Sequence, residues 1–395
     1  MSIQETQYKR NSALGSGRVR SFIVPEEEIR IIQITTFCPD GIGPGPTHLY
    51  IIEGDALTLM DTGIPTHLVR AFLYSWRNLP IPPEIKKLPP DYSEQEFLEG
   101  LKLAPYSVKD IEILVISHGH PDHFLMGPQI LRRATPRVVA HILDTSEICN
   151  PWAMLRHWIA NQPQMRASGM PMPHAVDDSK FHLLGSLRSD FSLNVDDPVF
   201  SDGPMRVKGS PIEGIIVKHL PGHSSGSIGL ILGKEEKILL CGDALLYPIS
   251  PHPDDLLLYL RTLEELKELK NISLVLPSHG KVIRDLKGRI ATLQKHHRRR
   301  LQLTYEACEK PRSVWNIATI PSYFDIYVDP AKFNPLAGRE ALAHIEILMM
   351  VGGLNRSHFK DGIHYFRNSG EPFEAVYQRV LELVQDRKIS SLLRY

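Results

Sequence analysis

The chain has 395 residues, with 45 Lys+Arg against 45 Asp+Glu, 42% hydrophobic residues and 23% charged residues. This is the balance of a globular protein with one large domain and a smaller one, and it excludes a disordered chain, a collagen-like chain and a disulfide scaffold. No apolar run reaches eighteen residues, so no membrane partner is expected, and the cancelled charge excludes a surface that traps polyanions throughout.

Residues 1–20 are polar and read as a flexible tail without a signal peptide, which predicts a cytoplasmic protein. Cys38, Cys149, Cys241 and Cys308 show no paired spacing and fit reduced thiols. Strands are expected at 31–35 and 48–52, separated by a Gly/Pro-rich loop at 39–46, and at 57–60, ending in Asp61-Thr62-Gly63. These pairs suggest an antiparallel meander. A helix around 65–77 and a Pro-rich surface loop at 79–93 follow. A buried strand at 111–116 runs directly into Ser117-His118-Gly119-His120-Pro121-Asp122-His123. After a strand near 137–142, residues 143–212 read as an insertion of helices and loops. Its Trp152, Met154, Trp158, Met165, Met170 and Met172 form either an apolar lid or ordinary core. Strands return at 213–219, 227–232, 237–241 and 272–276, with a helix around 255–270. A long basic helix at 284–310 links to a separate unit at 311–395, with helices at 339–351 and 372–385 and a hairpin near 352–366.

His118, His120, Asp122 and His123 place four metal-competent side chains within six residues. Side chains two apart in an extended segment face the same way, so His118 and His120 can share one ion. Asp122 and His123 lie at the turn beyond and can reach a second. Three more candidates each follow a strand: His223 in Pro221-Gly222-His223, Asp243 in Cys241-Gly242-Asp243, and His279 in Pro277-Ser278-His279-Gly280. The seven residues suffice for two ions sharing one carboxylate. Imidazoles with few carboxylates suit zinc, with iron or manganese as alternatives. Asp61 has two readings: it forms the turn, or it accepts an N–H from a ligand imidazole. Cys241 reads as a small core residue rather than a ligand. Tyr247, four residues past Asp243, is a candidate hydrogen-bond donor to an oxyanion or leaving group.

The His-x-His-x-Asp-His run, the Pro-Gly-His-Ser-Ser-Gly-Ser-Ile segment, Gly-Asp-Ala-Leu-Leu and Pro-Ser-His-Gly occur in an order that resembles the metallo-β-lactamase fold superfamily of hydrolases. The resemblance covers about 30–283 and implies an α/β protein, an αββα sandwich, with residues 21–283 as its catalytic domain. It implies that His118, His120 and His223 hold one ion, that Asp122, His123 and His279 hold the other, and that Asp243 bridges. It also favours the supporting role for Asp61. Residues 311–395 resemble, more loosely, the winged-helix domain of the subgroup that includes beta-lactamase-like protein 2. The cues are His296-His297-Arg298-Arg299-Arg300, Pro311-Arg312-Ser313-Val314-Trp315 and Ala341-Leu342-Ala343-His344-Ile345-Glu346.

The expected activity is hydrolysis by a metal-bound hydroxide, with Asp122, Asp243 and Tyr247 as catalytic candidates. The favoured substrate is a small-molecule acyl thioester or ester. A thiolate leaves with a pKa near about 8.5 and needs little help from a protein acid, and the motif supplies no evident acid. A lactone is an alternative with Tyr247 as donor. Single-stranded RNA is another, suggested by the basic helix: residues 281–312 carry ten Lys/Arg against three Asp/Glu. Against RNA, the last 85 residues carry ten Lys/Arg and nine Asp/Glu, without aromatic–basic interleaving for base stacking. The near-neutral tail is expected to serve as a homodimer contact or a pocket wall.

Overall fold

The computed structural model describes residues 3–8, 18–24, 28–40, 44–75, 79–150, 163–172, 191–324 and 326–386. They fall into two compact units: the described residues of 1–154, 177–251 and 270–286 form the first, and those of 155–176, 252–269 and 287–395 the second.

The first unit is built from two sheets. One has eight strands in the order β1 (Gln4–Tyr8), β2 (Val19–Val24), β3 (Ile29–Thr36), β4 (Thr47–Ile52), β5 (Thr58–Met60), β6 (Ile113–Val115), β7 (Arg137–His141) and β8 (Asp197–Val199). Strands β1 to β5 pair antiparallel and β5 to β8 pair parallel. The other has five strands: β9 (Gly203–Val207), β10 (Ser210–His219), β11 (Ile228–Leu232), β12 (Lys237–Gly242) and β13 (Ile272–Pro277), in the order β13-β12-β11-β10-β9. Here only β12 and β13 pair parallel.

The period-two alternation of the strands divides their side chains between two cores. Tyr50 and Ile52 of β4 join Ile31, Val115, Leu230, Leu240 and Leu276 in a core drawn from both sheets. Leu49 and Ile51 point the other way, with Ile32, Ile34, Phe97 and Leu101, so the helix Tyr92–Leu103 covers the outer face of the eight-stranded sheet. The helix comes close because Gly100 presents no side chain: a Cβ there would lie 2.5 Å from Ile34 Cγ2.

Three local expectations are corrected. The polar start is not all loose tail, because Gln4–Tyr8 pairs with β2. An edge strand carries polar and charged residues and shows no hydrophobic pattern to read. The Pro-rich stretch 79–93 contains the helix Pro83–Lys86, which uses Pro83 in its first turn and buries Ile85, and the start of the helix Tyr92–Leu103. The segment read as helices and loops at 143–212 supplies β8, β9 and the first residues of β10. Trp152, Met154 and Trp158 lie outside the described residues, and Met165 and Met170 are buried in the second unit.

The second unit contains the helices Leu256–Lys267, Leu286–Ala307, Val314–Ala318, Pro335–Met350 and Phe373–Gln385, and a hairpin of β14 (Leu354–Lys360) and β15 (Ile363–Asn368). The helix read as a link buries Ile290, Leu293, His297, Leu301 and Thr304 at helical spacing, and so belongs to this unit's core. The segment His252–Leu269, which lies in sequence between the candidate ligands Asp243 and His279, groups here as well. Among the described residues, no helix is long and apolar enough to cross a membrane.

Candidate metal centre

Strands β5, β6 and β7 are parallel, and so are β12 and β13, while β10 lies two antiparallel steps from β12. The carboxyl ends of the strands in each set therefore open in one direction. Asp61 follows β5, His118 to His123 follow β6, His223 follows β10, Asp243 follows β12 and His279 follows β13. Backbone bonds lock these ends across the two sheets. Ile228 N–H donates to Ser117 O at 2.8 Å, and His48 N–H donates to Ser278 O at 2.7 Å. The β12/β13 register pairs Gly242 with Pro277, which sets Asp243 beside His279.

The structure brings together all seven residues singled out as metal ligands. His118 Nε2 lies 3.0 Å from His120 Nδ1 and 3.2 Å from His223 Nε2. Asp122, His123 and His279 form a second group, and His118, His123 and Asp243 a third, each with ligand-type atoms within 4.8 Å of one another. Asp243 reaches both sides: its Oδ2 lies 3.6 Å from His223 Nε2 and 3.7 Å from His123 Nε2, and its Oδ1 lies 3.6 Å from His279 Nε2.

The far side of each ring fixes which nitrogen is bare. Asp61 is fully buried, and its Oδ2 lies 2.8 Å from His123 Nδ1. Ser117 Oγ donates to Asp61 Oδ2 at 2.8 Å, so it can accept the Nδ1–H of His118, 3.0 Å away. His279 Nδ1 lies 3.1 Å from Pro46 O, which can only accept. The Nε2 lone pairs of His118, His123 and His279 are thereby directed into the cluster. Asp61 thus takes the supporting position, and its φ of 63° is one that Asp tolerates.

The donor set fits divalent cations. Asp122 Oδ2, His123 Nε2, Asp243 Oδ1 and His279 Nε2 are buried without a hydrogen bond. His279 Nε2 and Asp122 Oδ2 face each other at 3.3 Å, at an angle that makes none. Such groups are costly to bury unless a cation satisfies them. Burial and the neighbouring imidazoles hold His118 well below the usual histidine range, in the neutral form a ligand needs. Burial alone would raise the pKa of Asp122 and of Asp243. The imidazoles of His123 and His279 instead hold both below the usual carboxylate range. Burial opposes charge on His123, but Asp61, Asp122 and Asp243 draw its pKa well above the usual value. The cluster thus favours positive charge at its centre.

Tyr247 is placed by its backbone beside Gly280, whose neighbour is His279, and the residue is 43% exposed. Cys241 is buried with its thiol pushed up by burial, and Sγ lies 3.4 Å from Leu245 O, as a core residue and not a thiolate ligand. Sequence reasoning did not single out Asp144. Its carboxylate accepts from Gly119 N and Ser224 Oγ at 2.8 and 2.7 Å, and from Gly226 N at 2.7 Å, which ties the His118–His123 loop to the His223 loop. The roles of Ser117 and Ser278 were also missed, although a Ser-His pair recurs at two strand ends. Both hydroxyls donate to Asp61 Oδ2.

Comparison with known proteins agrees with this geometry. A family profile described as the Metallo-beta-lactamase superfamily matches residues 42–279, more than half of the chain. The chain is 27% identical to the lactamase-like protein aptB of Emericella nidulans over 45% of its own length, and the match spans 53% of that relative. It is 23% identical to the probable metallo-hydrolase YqjP of Bacillus subtilis over 83% of the chain and 95% of the relative. Among solved structures, a metallo-beta-lactamase family protein from Thermus thermophilus superposes with a TM-score of 0.64 at 20% identity, over 86% of this chain and 98% of that one. A beta-lactamase domain protein from Burkholderia ambifaria gives 0.63 at 21% identity, over 91% and 96%.

Proposed function

The chain belongs to the metallo-beta-lactamase superfamily, and from that premise we propose that it hydrolyses acyl thioesters or related esters with two divalent ions, zinc being the first candidate and iron or manganese the others. The observation that carries this reading is the reach of Asp243 to imidazoles on both sides of the cluster. His118, His120 and His223 would hold one ion, and Asp122, His123 and His279 the other, with Asp243 between them. When bound, the ions supply Lewis acidity that polarises a carbonyl and activates water near neutral pH. Asp61 holds the His123 ring with Nε2 inward, while Ser117 does the same for His118. Asp122 and Asp243, as ligand carboxylates, only accept protons or hydrogen bonds. That assignment leaves the site without an evident acid and favours a leaving group that departs as its anion, as a thiolate does.

The alternative substrates are a lactone, with Tyr247 donating to the leaving alkoxide, and single-stranded RNA. The basic helix supports RNA weakly, because Arg298 pairs with Glu374 and Arg300 with Glu340 within the second unit. The helix-and-hairpin order of residues 314–385 supports a winged-helix reading of that unit, and we place the protein in the cytoplasm.

Acyl-CoA thioesters, lactones and single-stranded RNA, assayed side by side with the metal-replete protein, test the choice. Thioester turnover without RNA cleavage is expected, and RNA cleavage alone would reverse it. His120→Ala and Asp243→Ala should each lower bound metal and bring turnover to background. Full activity in a metal-free preparation would sink the hydrolase mechanism.

A further inference from the structure

A second group of ligand-type side chains lies within the second unit, apart from the seven residues above. His296, His297 and Glu340 each offer an atom within 4.8 Å of the others. His296 and His297 sit on the helix Leu286–Ala307, and Glu340 on the helix Pro335–Met350. The tautomer of His297 follows from a short relay. His344 Nδ1 lies 2.7 Å from Glu340 O, a carbonyl that can only accept, so Nδ1 of His344 carries the proton and its Nε2 is a bare lone pair. That Nε2 lies 3.2 Å from His297 Nδ1, which must therefore be the donor. The one proton of neutral His297 is thus placed on Nδ1. Its Nε2 is left as a lone pair, fully buried, with no hydrogen bond.

A buried lone pair that nothing satisfies is unusual, and a histidine whose other nitrogen is pinned by a partner is how proteins prepare a metal ligand. Burial holds both His297 and His344 well below the usual histidine range, so neither evades the cost by protonation. Glu340 accepts from Arg300 through Oε1, and its Oε2 lies 3.2 Å from His252 Nδ1. A carboxylate oxygen has two acceptor directions, so these contacts leave Glu340 able to coordinate. His296 is half-buried, which gives an ion a route from solvent.

We propose that His296, His297 and Glu340 form a separate divalent-metal site of the imidazole-rich class that suits zinc, stapling the helix Leu286–Ala307 to the helix Pro335–Met350. It does not depend on the hydrolase reading, because none of its residues belongs to the catalytic cluster.

The test is metal content of the full chain after equilibration with Zn²⁺ and removal of loose ions. His297→Gln and His296→Ala should each carry one zinc ion fewer per chain than the unchanged protein and keep its turnover. Equal zinc in all three proteins would overturn the proposal. Should both variants fail to fold, anomalous diffraction at the zinc edge from crystals of the unchanged protein decides. A peak among His296, His297 and Glu340 is expected. Its absence, with zinc present at the catalytic cluster, would overturn the site, whereas a peak here with none there would sink only the hydrolase reading.

Discussion

Asp61 is the residue on which the ring orientations of the cluster depend. It accepts from Ser117 N, Ser117 Oγ and Ser278 Oγ and lies against His123 Nδ1. Asp61→Asn keeps the left-handed backbone, which Asn tolerates, but replaces an acceptor oxygen by a donor facing other donors. Metal affinity should fall about 10–100-fold while the fold persists, as read by chelator competition. Unchanged affinity would show that His123 needs no such support. Asp144 works differently, because it touches no metal-binding nitrogen and instead satisfies two backbone N–H groups and a hydroxyl. Asp144→Ala leaves these buried donors unpaired and should cost roughly 1–3 kcal/mol in urea unfolding. Asp61 was legible in the sequence as one of two readings. Asp144 was not, since an Asp one turn past a strand looks like any helix-start residue.

Among the elements, the loop that ends β13 is held by close backbone contact. Gly280 has φ 81°, and a Cβ there would stand 2.2 Å from Tyr247 O. Gly280→Ala must push the Tyr247 loop and the adjoining His279 apart. The expected result is weaker metal retention together with a lowered melting temperature, and a variant equal to the parent in both would contradict the tight fit. The helix Tyr92–Leu103 makes a simpler case. Phe97 is buried against the eight-stranded sheet, so Phe97→Ala should cost about 3–5 kcal/mol, with metal stoichiometry unchanged. Strands β3, β4, β11 and β12 were readable because both of their faces are buried, so each reads as a short apolar-rich run between turns. The edge strand β1 and the short strands β8 and β9 were not, because their polar residues face solvent and their pairing is decided by neighbours distant in sequence.

For the molecule as a whole, acid sensitivity follows from buried neutral histidines. Burial lowers His48, His141 and His252 from 6.5 to about 4. A histidine with a folded pKa below its unfolded value takes up its proton first in the unfolded chain. Stability is therefore full above about 6.5 and is lost as pH falls toward about 4, by up to about 3 kcal/mol for each group. Urea unfolding of the chelated, metal-free protein should show this decline, and His141→Gln should make it shallower. A flat profile over that range would mean these rings are hydrated in solution. Whether the near-neutral tail serves as a homodimer contact or as a pocket wall is checked by light scattering, where a mass of 44.7 kDa would identify a monomer and leave the pocket-wall reading.

By itself the sequence determined the chemistry of the centre. Seven imidazole and carboxylate groups stand where strands end, and small residues beside them let the backbone approach. Residue type and local spacing suffice for that reading, because ligand chemistry belongs to the side chains. Tertiary structure alone decided which nitrogen of each ring is bare, that Asp243 reaches both sides, and that Asp144 ties the loops of His118 and His223, 105 residues apart in sequence. It alone brought His297 beside His344, across 47 residues. These depend on parallel strand direction and on register between distant segments. No local pattern encodes them, because the energy that fixes them comes from cores that only the assembled sheets and helices create.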